Sequence, residues 1–372
     1  MKHSYRAVSD DFASQTQAAR KVLLIDIGGL GDVIHALPAM WAVRQTYPNA
    51  ELHCVVCEPW VSLLQMTPWI DRVWPYGGKQ KGRRFTQWRQ ALQLRRQRFD
   101  VAISLMGSTR ACLIARLSGA PRRLVRKPME ARHRAWRWLA TEVMVHPYLQ
   151  EPMYLQKWHC VRSAGFASAA PQLELRHSEA SDQRWLEQEG LMPKRYLHLS
   201  PYTSGTHREL PPEQMLQLLC RLHQDFPQQP LVLSCAANLR ECEALDALVA
   251  ALPFRPWRVF RGSLDIPQLT TLIRAAAVHY GGDTGTTHLA WLTGTASVSW
   301  FYSGAQLAQW APRGARHALV FSESPPPDYL RGIVLDDILL QTQVLLDAAQ
   351  SDVERTSSDP AIASPRLVSF ET

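Results

Sequence analysis

The chain has 372 residues, 46% of them hydrophobic and 20% charged, and a formal net charge of +8. That length exceeds what one hydrophobic core supports, so two domains of roughly 150–200 residues are expected. No run reaches the roughly 18–20 apolar residues of a membrane span, and Asp10 and Asp11 stand where a signal peptide needs an apolar core, so a cytoplasmic protein is expected.

Residues 1–20 are polar and without periodicity, which predicts a flexible extension. Residues 21–27 are apolar and β-branched and read as a buried strand. The glycine turn Gly28-Gly29-Leu30-Gly31-Asp32 follows, then a helix from Asp32 to Thr46. Residues 51–57 form the next strand. They contain Cys54-x-x-Cys57, which has no second Cys or Cys/His pair at metal-ligand spacing. The seven cysteines are an odd number and are read as thiols in a reducing compartment.

Residues 85–98 carry Phe85, Trp88 and Leu92 at helical spacing, 98–105 form a strand, and the turn 106–109 opens a helix ended by Ala120-Pro121. Strand, helix, strand at these spacings predicts right-handed βαβ units on a parallel sheet. From Lys79 to Arg137 there are seventeen Lys or Arg against two acids, with Phe85, Trp88, Trp136 and Trp138 interleaved. Such a stretch either is a solvated basic face or attracts an acidic partner.

A composition shift at 165–178 marks the expected linker, dividing a domain at 21–170 from one at 176–349. The second half alternates again. Strands are expected at 196–200, 230–235, 257–260, 278–280 and 296–301, helices at 211–226, 240–251, 266–276 and 287–292, and a closing helix at 337–348. Residues 350–372, rich in Ser, Thr and Pro, are expected to be disordered.

Two turns carry the chemistry. The first fails the dinucleotide fingerprint, because Ile34 stands where the third glycine belongs and Asp32 would put a carboxylate beside a pyrophosphate. A carboxylate at the lip of a sheet suits a general base, although Asp at a helix start also serves as a cap. His35, one turn on, reads as structural. The second turn, Gly281-Gly282-Asp283-Thr284-Gly285-Thr286-Thr287-His288, joins a strand to a helix start. It offers N–H and O–H donors to phosphates, with Asp283 available to a hydroxyl and His288 as a donor or a packing residue. No D-x-D metal motif, H-E-x-x-H or G-x-S-x-G is present, so a metal-free transfer is the consistent reading.

The residues resemble the glycosyltransferase family 9 heptosyltransferases, which build the inner core of lipopolysaccharide from ADP-heptose. Residues 29–39, Gly-Leu-Gly-Asp-Val-Ile-His-Ala-Leu-Pro-Ala, are similar to the family's G-D-(V/I)-(L/I)-x-(T/A)-L-P, and residues 283–290 to its D-T-G-x-x-H-L. Residues 208–213, Arg-Glu-Leu-Pro-Pro-Glu, resemble a K-x-W-P-x-E segment with arginine in place of the phosphate-contacting lysine, and Trp310-Ala311-Pro312 resembles a late W-x-P. The acid that contacts ribose is not assignable among residues 238–243.

The resemblance implies a GT-B fold, two Rossmann-like α/β domains with parallel sheets facing a central cleft. It implies an inverting enzyme that uses neither cofactor nor metal. Asp32 is then the catalytic base. Arg208, Asp283, Thr284, Gly285, Thr286, Thr287 and His288 hold the ADP-heptose donor. Gly29, Gly31, Arg83, Arg84, Arg122 and Arg123 meet an anionic, lipid-linked acceptor. The implied partners are that acceptor and the inner membrane surface, touched peripherally from the cytoplasm, and no nucleic acid. Three rivals remain: heptose transfer to a protein serine, a non-catalytic nucleotide or nucleic-acid binder, and a nicotinamide dehydrogenase.

Overall fold

The computed structural model describes residues 6–7, 11–77, 84–127, 138–144, 151–167, 173–302 and 304–358. The chain forms two compact units, Met1–Arg176 and His177–Thr372.

The first unit contains, in order, β1 (Arg6–Ala7), α1 (Phe12–Gln15), β2 (Lys21–Ile25), α2 (Leu30–Thr46), β3 (Glu51–Cys57), α3 (Val61–Gln65), β4 (Arg72–Tyr76), α4 (Arg84–Arg96), β5 (Val101–Ser104), α5 (Thr109–Leu117), β6 (Arg122–Arg126), β7 (Glu142–Met144) and α6 (Met153–Arg162). The strands lie in the order β1-β7-β6-β5-β2-β3-β4, all parallel. Val22, Leu23, Leu24 and Ile25 are fully buried, as expected of an unbroken apolar run covered on both faces. The chain winds from β2 outward through β3 and β4, then returns to place β5 on the other side of β2. This reversal opens a crevice beyond the carboxyl ends of β2 and β5, where open α/β sheets bind ligands. The turn leading to Asp32 leaves β2 there.

The second unit contains α7 (Glu179–Gln188), β8 (Leu197–Ser200), α8 (Pro212–Asp225), β9 (Leu231–Cys235), α9 (Leu239–Ala251), β10 (Arg258–Arg261), α10 (Ile266–Ala275), β11 (Val278–Gly281), α11 (Gly285–Leu292), β12 (Ser297–Tyr302), α12 (Ala305–Trp310), β13 (His317–Ser322) and α13 (Leu335–Ser358). Its strand order, β10-β9-β8-β11-β12-β13, is again wholly parallel. Here the reversal falls between β8 and β11. The loop after β8, which carries Arg208, and the turn after β11, which carries Asp283, therefore emerge side by side.

Three expectations are corrected. The polar start is not loose throughout: β1 pairs with β7, and Phe12 is fully buried against Phe166, with ring centroids 6.2 Å apart. The Thr16 hydroxyl also meets the Tyr47 hydroxyl at 2.6 Å. Phe12, with Ala13 buried beside it, anchors an otherwise polar run, a signal that composition averages away. At the other end α13 continues to Ser358, past the expected start of disorder at 350, and residues 359–372 lie outside the described residues. Among the described side chains of α4, Leu94 is the buried one, packed with Phe99 and Ile114, whereas Leu92 is 54% exposed, and Phe85 and Trp88 lie outside the described side chains. The apolar spacing placed the face of that helix half a turn away from the one the sheet covers.

Candidate functional site

Asp32 sits in the first turn of α2, not at its cap. Its Oδ2 accepts the Gly29 N–H at 3.0 Å, a capping-box arrangement, and the residue is half-buried. The glycine before it is obligatory on steric grounds: a Cβ at Gly28 would lie 2.6 Å from Asp32 Cγ and 2.7 Å from its Oδ2. Beneath this turn lies a buried ion pair that the motif did not announce. Lys157, from α6, places Nζ 2.7 Å from Asp26 Oδ2 and 2.6 Å from the Asp32 carbonyl oxygen. Asp26 Oδ1 accepts the Gly28 N–H at 3.2 Å. Burial pushes the Asp26 carboxyl up, the Lys157 ammonium opposes that rise, and the nearby Asp32 charge adds to it. His35 is buried and stacked on Tyr154 with ring centroids 6.0 Å apart, in keeping with a structural role.

In the second unit Asp283 is 6% exposed and gathers the site around it. Arg208 Nη1 donates to Asp283 Oδ2 at 3.0 Å while its Nη2 donates to Ser204 Oγ at 2.6 Å. His288 Nε2 stands 3.5 Å from Asp283 Oδ1, and the Gln306 amide, from α12, donates to Oδ2. Burial works to raise the Asp283 carboxyl, but the hydrogen bonds and charges of His288 and Arg208 outweigh it and hold the group below its ordinary range. Gly282 lets the two loops touch: a Cβ there would lie 2.6 Å from the Arg208 carbonyl oxygen and 2.9 Å from Trp300 Nε1.

Thr284 is the N-cap residue of α11, so the amides of Gly285 and Thr286 open the helix without intrahelical acceptors. Around this turn, Arg208 Nε, Thr286 Oγ1, Gln306 Oε1 and Trp300 Nε1 are buried with no hydrogen-bond partner among the described residues. Native proteins leave few such atoms, and four around one turn mark a place built for a polar ligand.

Some expected site residues do other work. The Thr287 hydroxyl is fully buried and donates to the Gly282 carbonyl at 2.7 Å, so it secures the turn instead of facing a ligand. His288 is likewise buried, its ring 5.8 Å from that of Trp310, which gives the W-x-P segment its place. The Gly29 amide is spent on Asp32, and Gly31 lies inside the first turn of α2.

Arg122 and Arg123 begin β6, at the end of the sheet opposite the crevice. Arg122 pairs with Glu142 at 2.8 Å, and Arg123 donates to the carbonyls of Leu139 and Ala120 at 2.9 and 2.7 Å. Their acceptor role is not retained, because a strand carries ligands at its carboxyl end. Arg84 opens α4 with its side chain outside the described part, and Arg83 lies outside the described residues. Glu241, in the segment left unassigned, binds the Ala236 N–H at 3.0 Å and the Asn238 amide at 2.9 Å within the start of α9.

Among the described residues no helix is long and apolar enough to cross a membrane, and no group of three His, Cys, Asp or Glu is placed to hold a metal ion. All seven cysteines are free thiols.

The family model for glycosyltransferase family 9 (heptosyltransferase) matches residues 87–327. The chain is 24% identical over 285 residues to the lipopolysaccharide core heptosyltransferase OpsX of Haemophilus influenzae, covering 75% of this chain and 78% of that one. Among solved structures it resembles a family 9 glycosyl transferase from Veillonella parvula, with a TM-score of 0.75, 15% identity, and 88% and 97% of the two chains covered. It also resembles the ADP-heptose lps heptosyltransferase II of E. coli, with a TM-score of 0.74, 20% identity, and 89% and 99% covered.

Proposed function

The chain belongs to glycosyltransferase family 9, the heptosyltransferases, and from that membership we propose that it moves heptose from ADP-heptose to an acceptor of the lipopolysaccharide core by inversion, with no metal ion. The observation that carries the donor half is the cluster around Asp283. The amides at the start of α11, the Arg208 guanidinium and the polar atoms of Arg208, Thr286 and Gln306 that lack a partner among the described residues fit a nucleoside diphosphate. Asp283 then acts through Arg208, fixing the direction of its guanidinium, and is not itself the phosphate ligand.

Asp32 removes the proton from an acceptor hydroxyl. The resulting oxygen nucleophile attacks the anomeric carbon from the face opposite the diphosphate, whose bond to that carbon breaks as ADP leaves. Arg208 and the α11 amides meet the charge that develops on the diphosphate, the work a metal ion performs in other transferases.

The test is ADP release and product mass with ADP-heptose and a truncated core acceptor, run in excess EDTA. Asp32→Ala is expected to lose turnover by about 10³-fold, within the range for removing a general base, while ADP binds within twofold of the unaltered chain. Turnover surviving within a few fold would remove Asp32 from the mechanism, and loss of activity in EDTA would overturn metal independence.

A further inference from the structure

Lys157 and Asp26 are a buried charged pair of the first unit, with side chains 3% and 0% exposed. Burying such a pair costs desolvation that the pair's attraction barely repays, so an apolar pair of similar volume would serve folding as well. The geometry shows what an apolar pair could not do. Asp26, the residue after β2, holds the Lys157 ammonium with Oδ2 and the Gly28 amide with Oδ1, and the same ammonium donates to the backbone carbonyl of Asp32. Cys57, at the end of β3, adds a contact from its Sγ to the Ile27 carbonyl at 3.2 Å. The turn from β2 into α2 is thus pinned at its entry, its middle and at Asp32 itself. Lys157 meets Asp32 at its backbone carbonyl and not at its carboxylate.

We propose that Lys157 is a positioning residue for the proposed base, fixing the first turn of α2 through the Asp32 carbonyl while Asp26 holds the ammonium in place. The inference rests on the reading of Asp32 as base. It assigns a role to a residue 125 positions away from Asp32 along the chain.

The experiment compares Lys157→Met with the double variant Asp26→Asn/Lys157→Met. The single variant strands a buried carboxylate and is expected to lose thermal stability as well as activity. The double variant strands no charge and is expected to regain the melting temperature of the unaltered chain. Its kcat is nonetheless expected to stay about 10- to 100-fold low, the scale of an ångström's misplacement, with ADP affinity within twofold. A kcat that recovers in step with stability would overturn the proposal and leave Lys157 a folding residue. Should the double variant not fold, Lys157→Arg carries the test. It keeps the cation against Asp26 but presents a planar fork out of register with the Asp32 carbonyl. A kcat at least about tenfold down at unchanged ADP affinity supports the proposal, and an unchanged kcat overturns it. Asp32→Asn, run alongside, separates the two readings. Turnover persisting there while the Lys157 effect remains would unseat Asp32 as base and keep Lys157 as the residue that holds the turn.

Discussion

Gly28→Ala isolates the placement of Asp32 from its chemistry. The backbone at Gly28 is not in the left-handed region, so alanine meets no conformational barrier there. The obstacle is purely steric, since the new Cβ would lie 2.6 Å from Asp32 Cγ and 2.7 Å from Oδ2, and closer still to its Cβ. Ordinary carbon contacts begin near about 3.5 Å, so the first turn of α2 must retreat by about 1 Å. Because the Asp32 Cβ is among the atoms struck, rotating the carboxylate away does not relieve the clash.

A displacement of that size costs about 100-fold in turnover, against an overpacking cost to stability of about 1–3 kcal/mol. Gly29→Ala is the matched control, because its Cβ would sit 3.6 Å from Asp32 Oδ2, an ordinary contact. It is expected to keep kcat within about threefold, with about 1 kcal/mol of stability lost from replacing a good N-cap residue. The assay is steady-state ADP release for both variants with thermal melts beside it. Equal kcat values for the two would refute the reasoning, since they differ chiefly in how each methyl meets Asp32.

Gly282→Ala is expected to raise the donor KM by about tenfold or more with a smaller change in kcat, because its methyl would drive the Arg208 carbonyl, 2.6 Å away, out of the Asp283 turn; an unchanged donor KM would show the two loops to be independent. Stability is expected to fall on mild acidification. Burial lowers His198 to about 3 and His317 to about 4, and takes His279 well down too. These folded values lie below the unfolded value of about 6.5, so the contribution is complete above that pH and is lost as pH falls through it, by about 2 kcal/mol each for His198 and His317 by about pH 4.5. Glu51, lowered to about 2 by hydrogen bonds from Lys21 and His53, loses its contribution only below about 4.5. A flat midpoint between pH 7 and pH 5 would contradict the buried network in which His198 meets His279 at 3.0 Å and Ser234 at 2.9 Å.

Local chemistry was legible along the chain wherever one segment carries its own signal. The run Val22–Ile25 is a buried strand because four consecutive apolar residues need cover on both sides. The turns at Gly28 and Gly282 are glycine because no side chain fits. Asp32 and Asp283 were readable as candidate site residues because each lies within a short run of unusual composition. Lys157 and Gln306 were not, since nothing beside them in sequence distinguishes them from ordinary helix residues. Arg122 and Arg123 misled because a count of basic residues carries no direction, and only the strand's polarity reveals which end a side chain occupies.

The sequence by itself determined the core strands and helices around each glycine turn, the parallel character of the sheets and the two candidate turns, because hydrophobic periodicity and glycine placement act over a few residues. The tertiary structure alone decided which loops meet. Strand order reverses between β8 and β11, bringing Arg208 beside Asp283 across 75 residues, and α6 returns after β7 to pack on α2, bringing Lys157 beneath Asp32 across 125. Such pairings follow from where whole strands are laid in a sheet, and no local run of residues encodes that.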